Sequence, residues 1–125
     1  MAYTKVNYEE VEQVSSAMHF LREPLETDQV GVTVVRCDPG WKSQRHDHTD
    51  NEHEEVYVLI DGSATVVVDE QSIPVEEGDA LWISPYPTRQ IRNGDEESAF
   101  VLVSAPSIAD ESDDQGEWLV SGFAG

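Results

Sequence analysis

Residues 40–62, GWKSQRHDHTDNEHEEVYVLIDG, determine the fold and contain three of the four histidines of this 125-residue chain. The β-branched and aromatic run at residues 54–60 predicts a strand, and the Asp61-Gly62 pair after it is a turn signal. If the preceding segment is extended, His46 and His48 point to one face, because side chains alternate along a strand. Gln44 points to that face as well.

The phase of the predicted strand places Glu55, Tyr57 and Leu59 on one face, with His53 in phase just before them. Two adjacent strands would therefore bring His46, His48, Glu55 and also His53 together. Imidazoles with one carboxylate are typical of a first-row transition-metal site with open positions for substrate. The alternative is a solvated loop, since HxH alone is a weak signal in so acidic a chain.

The stretch resembles the first motif of the cupin superfamily, which runs glycine, five residues, His-x-His, a short gap, Glu, six residues, glycine. Here Gly40, His46 and His48 match its first part, and Glu55 and Gly62 match its second part. The gap between the two parts is longer than in the family by two or three residues. Glu52 would keep the short gap, but Glu55 keeps the spacing to the second glycine and is preferred.

Residues 78–93, GDALWISPYPTRQIRN, resemble the second cupin motif. Gly78 and Asn93 match, whereas Ser84 and Tyr86 stand at the motif's proline and second glycine. Arg89 stands where the family has its last metal-binding histidine. The resemblance covers about two thirds of the chain and implies an all-β fold, the double-stranded β-helix or jelly-roll barrel.

The resemblance implies that His46, His48 and Glu55 bind a divalent ion, and these donor types do not choose among Fe, Mn, Ni, Cu and Zn. An arginine cannot coordinate a metal. Either His53 replaces the missing ligand, or three ligands suffice and Arg89 binds an anionic substrate group. A third alternative is a metal-free barrel in which Arg89 pairs with Glu55.

The same resemblance implies further residues that contact a bound substrate in the barrel. Gln44 shares the face of the two histidines, Tyr57 that of Glu55, and Trp82 lines the barrel interior if it has the inward phase of its strand.

Composition restricts the partners. The chain has 26 acids and 7 Lys or Arg residues, a formal net charge of −19. This charge excludes nucleic acid and anionic membrane surfaces as expected partners, because both require clustered basic residues. Acids are spread along the whole chain, a pattern that predicts a halophilic, salt-adapted surface whose self-repulsion is screened by salt.

The single cysteine, Cys37, excludes an internal disulfide and favours a reducing compartment. Its apolar strand predicts a small core residue. Neither a leader pattern nor an apolar run of about 18 residues is present, so we expect a soluble, cytoplasmic protein.

Short strands separated by Gly, Pro and Asn-Gly signals predict one all-β domain. We expect an N-terminal arm at residues 1–28 with a strand followed by a short turn of helix, a barrel at 29–106, and an acidic tail at 107–125. The tail ends in apolar residues and forms either an arm packed on the barrel or a partner, or a frayed end. His19 is expected to have a surface or arm role.

Val56, Val58 and Ile60 lie opposite Glu55 on the predicted strand, so both faces are apolar. An exposed sheet face should be polar unless something covers it. Either the N-terminal arm or a second subunit must do so, and because cupins commonly pair back to back we expect a homodimer.

Two functions remain open from the sequence. The first is a metal-binding cupin that acts on a small, anionic organic molecule, of oxygenase or isomerase type. The second is a non-catalytic binding or regulatory domain without metal, because the fold alone does not define a function.

Overall fold

The computed structural model describes residues 2–107, and the expectations for the tail at 108–125 lie outside them. Nearly all regular structure is antiparallel β-sheet, apart from a 3-10 helix (Tyr8–Glu10) and α1 (Arg22–Leu25). The strands are β1 (Gln13–Val14), β2 (Met18–Phe20), β3 (Gly31–Cys37), β4 (Glu54–Asp61), β5 (Ser63–Val68), β6 (Gln71–Glu76), β7 (Ala80–Ile83), β8 (Arg89–Asn93) and β9 (Ser98–Ala105).

The strands form two sheets. The larger has the order β1-β2-β3-β9-β4-β7 and the smaller the order β6-β5-β8. The extended residues that precede the loop before β4 join the smaller sheet through isolated bridges, Lys42 to Arg92 and His46 to Arg89. The arrangement confirms the all-β prediction and is consistent with a double-stranded β-helix.

Strand β4 shows why the sequence folds this way. Glu55, Tyr57 and Leu59 are buried, whereas Val56 and Val58, which alternate with them, are half-buried. The apolar core lies between the sheets and comes from nearly every strand; its buried members include Val35, Cys37, Tyr57, Leu59, Val66, Ile83, Ile91, Phe100 and Leu102. Cys37 is therefore a core residue, as predicted, and burial raises the pKa of its thiol.

The turn after β4 requires a glycine. Gly62 has φ +78°, and a Cβ there would lie 3.1 Å from Cα of Ser98 and would also collide with the carbonyl oxygen of Glu97. This packing explains the last glycine of the first motif.

The N-terminal segment differs from the prediction. Its short 3-10 helix precedes the strands instead of following one, and β1 and β2 extend the larger sheet along β3. His19 lies in the N-terminal arm, one of its two expected roles, but is buried there on β2, where Nδ1 lies 2.9 Å from the carbonyl oxygen of Val11 and the ring packs edge-on against Tyr8. None of the helices within residues 2–107 has the length and apolar character to span a membrane.

Candidate metal centre and its cavity

Backbone pairing fixes His46 opposite Arg89. The His46 N–H donates to the Arg89 carbonyl at 3.2 Å, and the Arg89 N–H donates to the His46 carbonyl at 2.8 Å. Ser43 N–H also donates to the carbonyl of Ile91 at 2.9 Å. The histidine segment is therefore held in the extended form that gives His46 and His48 a common direction.

Glu55 supplies the acid at the centre of the site. Its side chain is 9% exposed, and the Nε2 atoms of His48 and His46 lie 3.2 and 3.9 Å from its Oε1. The three ligand atoms all lie within 4.8 Å of one another. The structure thus brings together two histidines and the preferred glutamate, as the motif spacing predicts.

Hydrogen bonds orient both rings so that Nε2 faces Glu55. His46 Nδ1 lies 3.3 Å from the carbonyl oxygen of Gln44, an atom that can only accept, so Nδ1 carries the proton. His48 Nδ1 lies 3.2 Å from Oδ1 of Asn51, which also accepts the His53 backbone N–H at 3.1 Å. In the neutral form of each ring, Nε2 therefore has a lone pair available for a metal, with the other ring nitrogen held as in metal sites.

The residues fit a divalent transition metal. Two ligands about 2.1 Å from one ion can be no more than about 4.2 Å apart, and both His–Glu distances are shorter than this. His48 Nε2 is buried and has no hydrogen-bond partner among the described residues, although Glu55 Oε1 lies 3.2 Å away, because an unprotonated ring nitrogen and a carboxylate oxygen are both acceptors. A bound cation would satisfy this atom.

Arg89 occupies the position of a fourth ligand. Its side chain is 0% exposed, and its Nη1 donates to Glu55 Oε1 at 3.0 Å. Nη2 donates to the carbonyl of Ser84, and Nε has no partner among residues 2–107. Arg89 therefore does not present its planar fork to the cavity; the ion pair with Glu55, one of the alternatives open from the sequence, is the arrangement found.

Tyr57 lies beneath the site. Its hydroxyl donates to Glu55 Oε1 at 3.4 Å, and its ring packs edge-on against Phe100. Burial above all, and then the adjacent negative charge of Glu55, raise the pKa of Tyr57 well above its ordinary value. Tyr57 is therefore a neutral donor that helps to fix the carboxylate.

His53 lies beside His46, His48 and Glu55 but is not part of the group whose ligand atoms all lie within 4.8 Å of one another. Its ring stacks on that of His48 with centroids 6.1 Å apart. Burial, followed by the charges of Arg22 and His48, lowers the pKa of His53. It is thus a neutral residue of the cavity wall near neutral pH.

The site opens into a cavity of about 860 Å³, of the size that binds small molecules. Gln44, His46, His48, His53 and Glu55 line it. Trp82 does not: it pairs with Val56 on the opposite face of β4, is 60% exposed, and donates from Nε1 to Glu54 at 2.8 Å. The expected inward phase of Trp82 is wrong, because β7 is apolar at every position and gives no alternation.

Two residues near the site were missed from the sequence. Asn51 orients His48, and the only indication of this in the sequence was an asparagine three residues after His48. Arg22 lines the cavity from the N-terminal segment, and only the pairing of β2 with β3 reveals its position.

The comparison with family models matches residues 33–105 to the cupin domain, which is more than half of the chain. The search of curated proteins gives no match. A cupin protein from Bacteroides fragilis shares 22% identity with a TM-score of 0.73, covering 86% of each chain.

Two further structures have the same fold. A sugar phosphate isomerase from a cupin superfamily, from Silicibacter pomeroyi, shares 21% identity with a TM-score of 0.65, over 82% of this chain and 76% of that one. A protein described as a predicted oxalate decarboxylase from Thermotoga maritima shares 19% identity with a TM-score of 0.69, over 83% of this chain and 100% of that one. The matched family model over residues 33–105, with this fold, shows that the chain belongs to the cupin family.

Proposed function

We propose that this cupin binds one divalent transition metal through His46, His48 and Glu55 and acts on a small, anionic organic molecule, as an oxygenase or isomerase. The observation that carries the proposal is the convergence of two lone-pair nitrogens on one buried carboxylate oxygen at the wall of a ligand-sized cavity. The names of two structures with the same fold, a sugar phosphate isomerase and a predicted oxalate decarboxylase, refer to chemistry on small anions.

The protein's residues have separable roles in this proposal. A bound metal would supply a Lewis acid with open coordination positions. Asn51 and the Gln44 carbonyl hold the imidazoles in the required tautomer, while Arg89 and Tyr57 hold Oε1 of Glu55. Apolar side chains such as Phe20 and Leu102 in the cavity wall limit water around a bound ligand.

The Arg89–Glu55 ion pair favours a second candidate function, a metal-free binding domain. At 3.0 Å from Oε1, the guanidinium already neutralises the buried carboxylate. Its positive charge also disfavours a nearby dication. In that case the cavity binds its ligand without catalysing a reaction.

A homodimer through the larger sheet is part of the proposal. We call the exposed side of β4 and β9 the outer face; there Val56 pairs with Val103 and Val58 with Val101, and all four are half-buried. Tyr8 and Val11 of the arm contact His19 on β2, two strands away from β9 in the sheet order, and Val101 and Val103 of β9 are still half-buried. A second copy would bury the remaining valines.

The net charge of −19 supports the proposal of a salt-adapted protein, and the single free cysteine, Cys37, supports a reducing, cytoplasmic compartment. Self-repulsion among the 26 acids opposes the compact state in dilute buffer and weakens as salt screens it.

Metal binding is tested with purified protein loaded with each candidate ion and measured by elemental analysis and calorimetry. We expect one ion per native chain, and His46→Ala and His48→Ala should weaken binding by at least about 100-fold, because each removes a ligand. Asn51→Ala should weaken it by about 10-fold through the lost orientation of His48. The matched control, His53→Ala, should bind like the native chain. A native chain that folds normally and takes up none of the ions would favour the metal-free candidate.

The buried ion pair predicts that substitution of Arg89 lowers the stability of the fold much more than substitution of Arg92 on the same strand. Arg89→Met should lower the unfolding free energy of the metal-free protein by about 3–5 kcal/mol, because it leaves Glu55 buried without its partner. Arg92→Met, on the exposed side of the same strand, should change it by about 0.5 kcal/mol or less. Denaturant titration measures both values. Equal losses in the two variants would show that the pair does not stabilise the fold.

Salt adaptation predicts that stability rises with ionic strength. From dilute buffer to molar KCl, we expect the melting temperature to increase by roughly 10 °C, about 2 kcal/mol at this chain length. Differential scanning calorimetry against KCl concentration measures the change. A melting temperature that stays constant or falls would contradict this expectation.

The homodimer predicts a solution mass of twice the 13.9 kDa chain by light scattering in high salt. Val58→Asp should give monomers, because a charge at the centre of the outer face cannot be buried unpaired. Ser72→Asp adds the same charge to the exposed strand β6 and should stay dimeric. A monomeric native chain would exclude the dimer.

A further inference from the structure

The cavity differs in charge from the rest of the molecule. Asp and Glu account for 26 of 125 residues, yet Glu55 is the only acid among the described residues that line the cavity. Arg89 neutralises that acid at 3.0 Å. Two of the chain's seven Lys and Arg residues, Arg22 and Lys42, also line the cavity. A positive cavity in a strongly negative protein attracts an anion.

Gly31 makes room for one of these cations. A Cβ at this position would lie 2.6 Å from Nη2 of Arg22 and 2.5 Å from Oγ of Ser104. The glycine thus lets the guanidinium lie against the sheet, beside the Ser104 hydroxyl. Arg22 is held there by Nη1, which donates to the carbonyl of Gln29 at 3.1 Å.

The Arg22 guanidinium retains donors for a ligand. Within residues 2–107, no carboxylate lies within 4 Å of it, and its described hydrogen bond uses Nη1 alone. A guanidinium with a neighbouring hydroxyl matches the geometry of a carboxylate, which accepts two parallel hydrogen bonds from the planar fork.

Strand register relates this position to the metal centre. Gly31 pairs with Ser104, and Ser104 pairs with Glu55 on its other side, so the three form one row across β3, β9 and β4. Neighbouring strands lie about 4.8 Å apart, which puts Gly31 about 10 Å from Glu55. A short molecule would reach from one end of this row to the other.

From these observations we infer that Arg22 and Ser104 bind the carboxylate of a short organic acid whose other end faces His46, His48 and Glu55. The inference rests on the proposed function for the role of that other end, and it identifies the substrate class as a small carboxylic acid. Arg22, not the buried Arg89, is the anion-binding arginine of this chain.

Calorimetric titration with malonate, succinate, adipate and inorganic phosphate tests the inference, on native protein with and without a loaded divalent metal. We expect the native chain to bind a dicarboxylate more tightly than phosphate. Arg22→Gln should weaken this binding by about 10- to 100-fold, as expected for a charged hydrogen bond. Arg22→Lys, which keeps the charge without the fork, should be intermediate. Arg92→Gln, the matched change of charge outside the cavity, should bind as the native chain does.

If Arg22→Gln does not fold, Ser104→Ala provides the test instead. Ser104→Ala should weaken the binding of the same acid by several-fold. Native protein that binds metal but none of the acids, or equal losses in Arg22→Gln and Arg92→Gln, would overturn the inference and leave metal binding intact. Tighter binding of phosphate than of every carboxylate would also overturn the substrate class. Loss of acid binding in Arg22→Gln with unchanged metal uptake would support it.

Discussion

Oxygen Oε1 of Glu55 is the atom on which the centre depends. It accepts hydrogen bonds from Arg89 and Tyr57, at 3.0 and 3.4 Å, and faces Nε2 of both His46 and His48. A buried carboxylate requires compensating charge or hydrogen bonds. The strands that carry these groups are β4 and β8, together with the extended segment bridged to β8, so one atom links both sheets of the barrel.

Metal binding and the stability of the fold depend on the same carboxylate, because Glu55 links the two sheets. The guanidinium at the fourth position compensates Glu55 in the metal-free protein, so the barrel does not need an ion to satisfy its only buried acid among the described residues. A bound dication would have to share Oε1 with the Arg89 guanidinium. In a site whose fourth group is a neutral imidazole, no such positive charge competes for the carboxylate. Arg89 therefore favours a folded, metal-free state and should reduce the affinity for metal.

The part of the site that could be predicted is the part set by short-range spacing. Alternation along β4 placed Glu55 and Tyr57 on the inner face, and the spacing of His46 and His48 placed their rings together. The strand predicted at residues 54–60 agrees with β4 to within one residue, because the Asp61-Gly62 turn ends it. The sequence could not give the phase of Trp82, since its strand is apolar on both faces.

Long-range contacts could not be decided from the sequence for a different reason. The pairing of Arg89 with Glu55 was one of three open alternatives, because the choice depends on how the sheet that contains β8 faces β4. Arg22 reaches the cavity because the N-terminal segment pairs with β3, and that pairing has no local signature. Such contacts depend on register between distant strands, which alternation within each strand does not specify.

The acid-poor cavity has a consequence for the rate at which ligands arrive. An anion in dilute buffer meets a repulsive outer potential before it comes within reach of the cavity, and this barrier slows its approach. Near 1 M salt the screening length is about 3 Å, so the distant surface acids no longer repel it, whereas contacts inside the cavity are less affected. Concentrated salt would therefore speed entry of an anion into this protein, opposite to the usual effect of salt on the capture of a charged ligand.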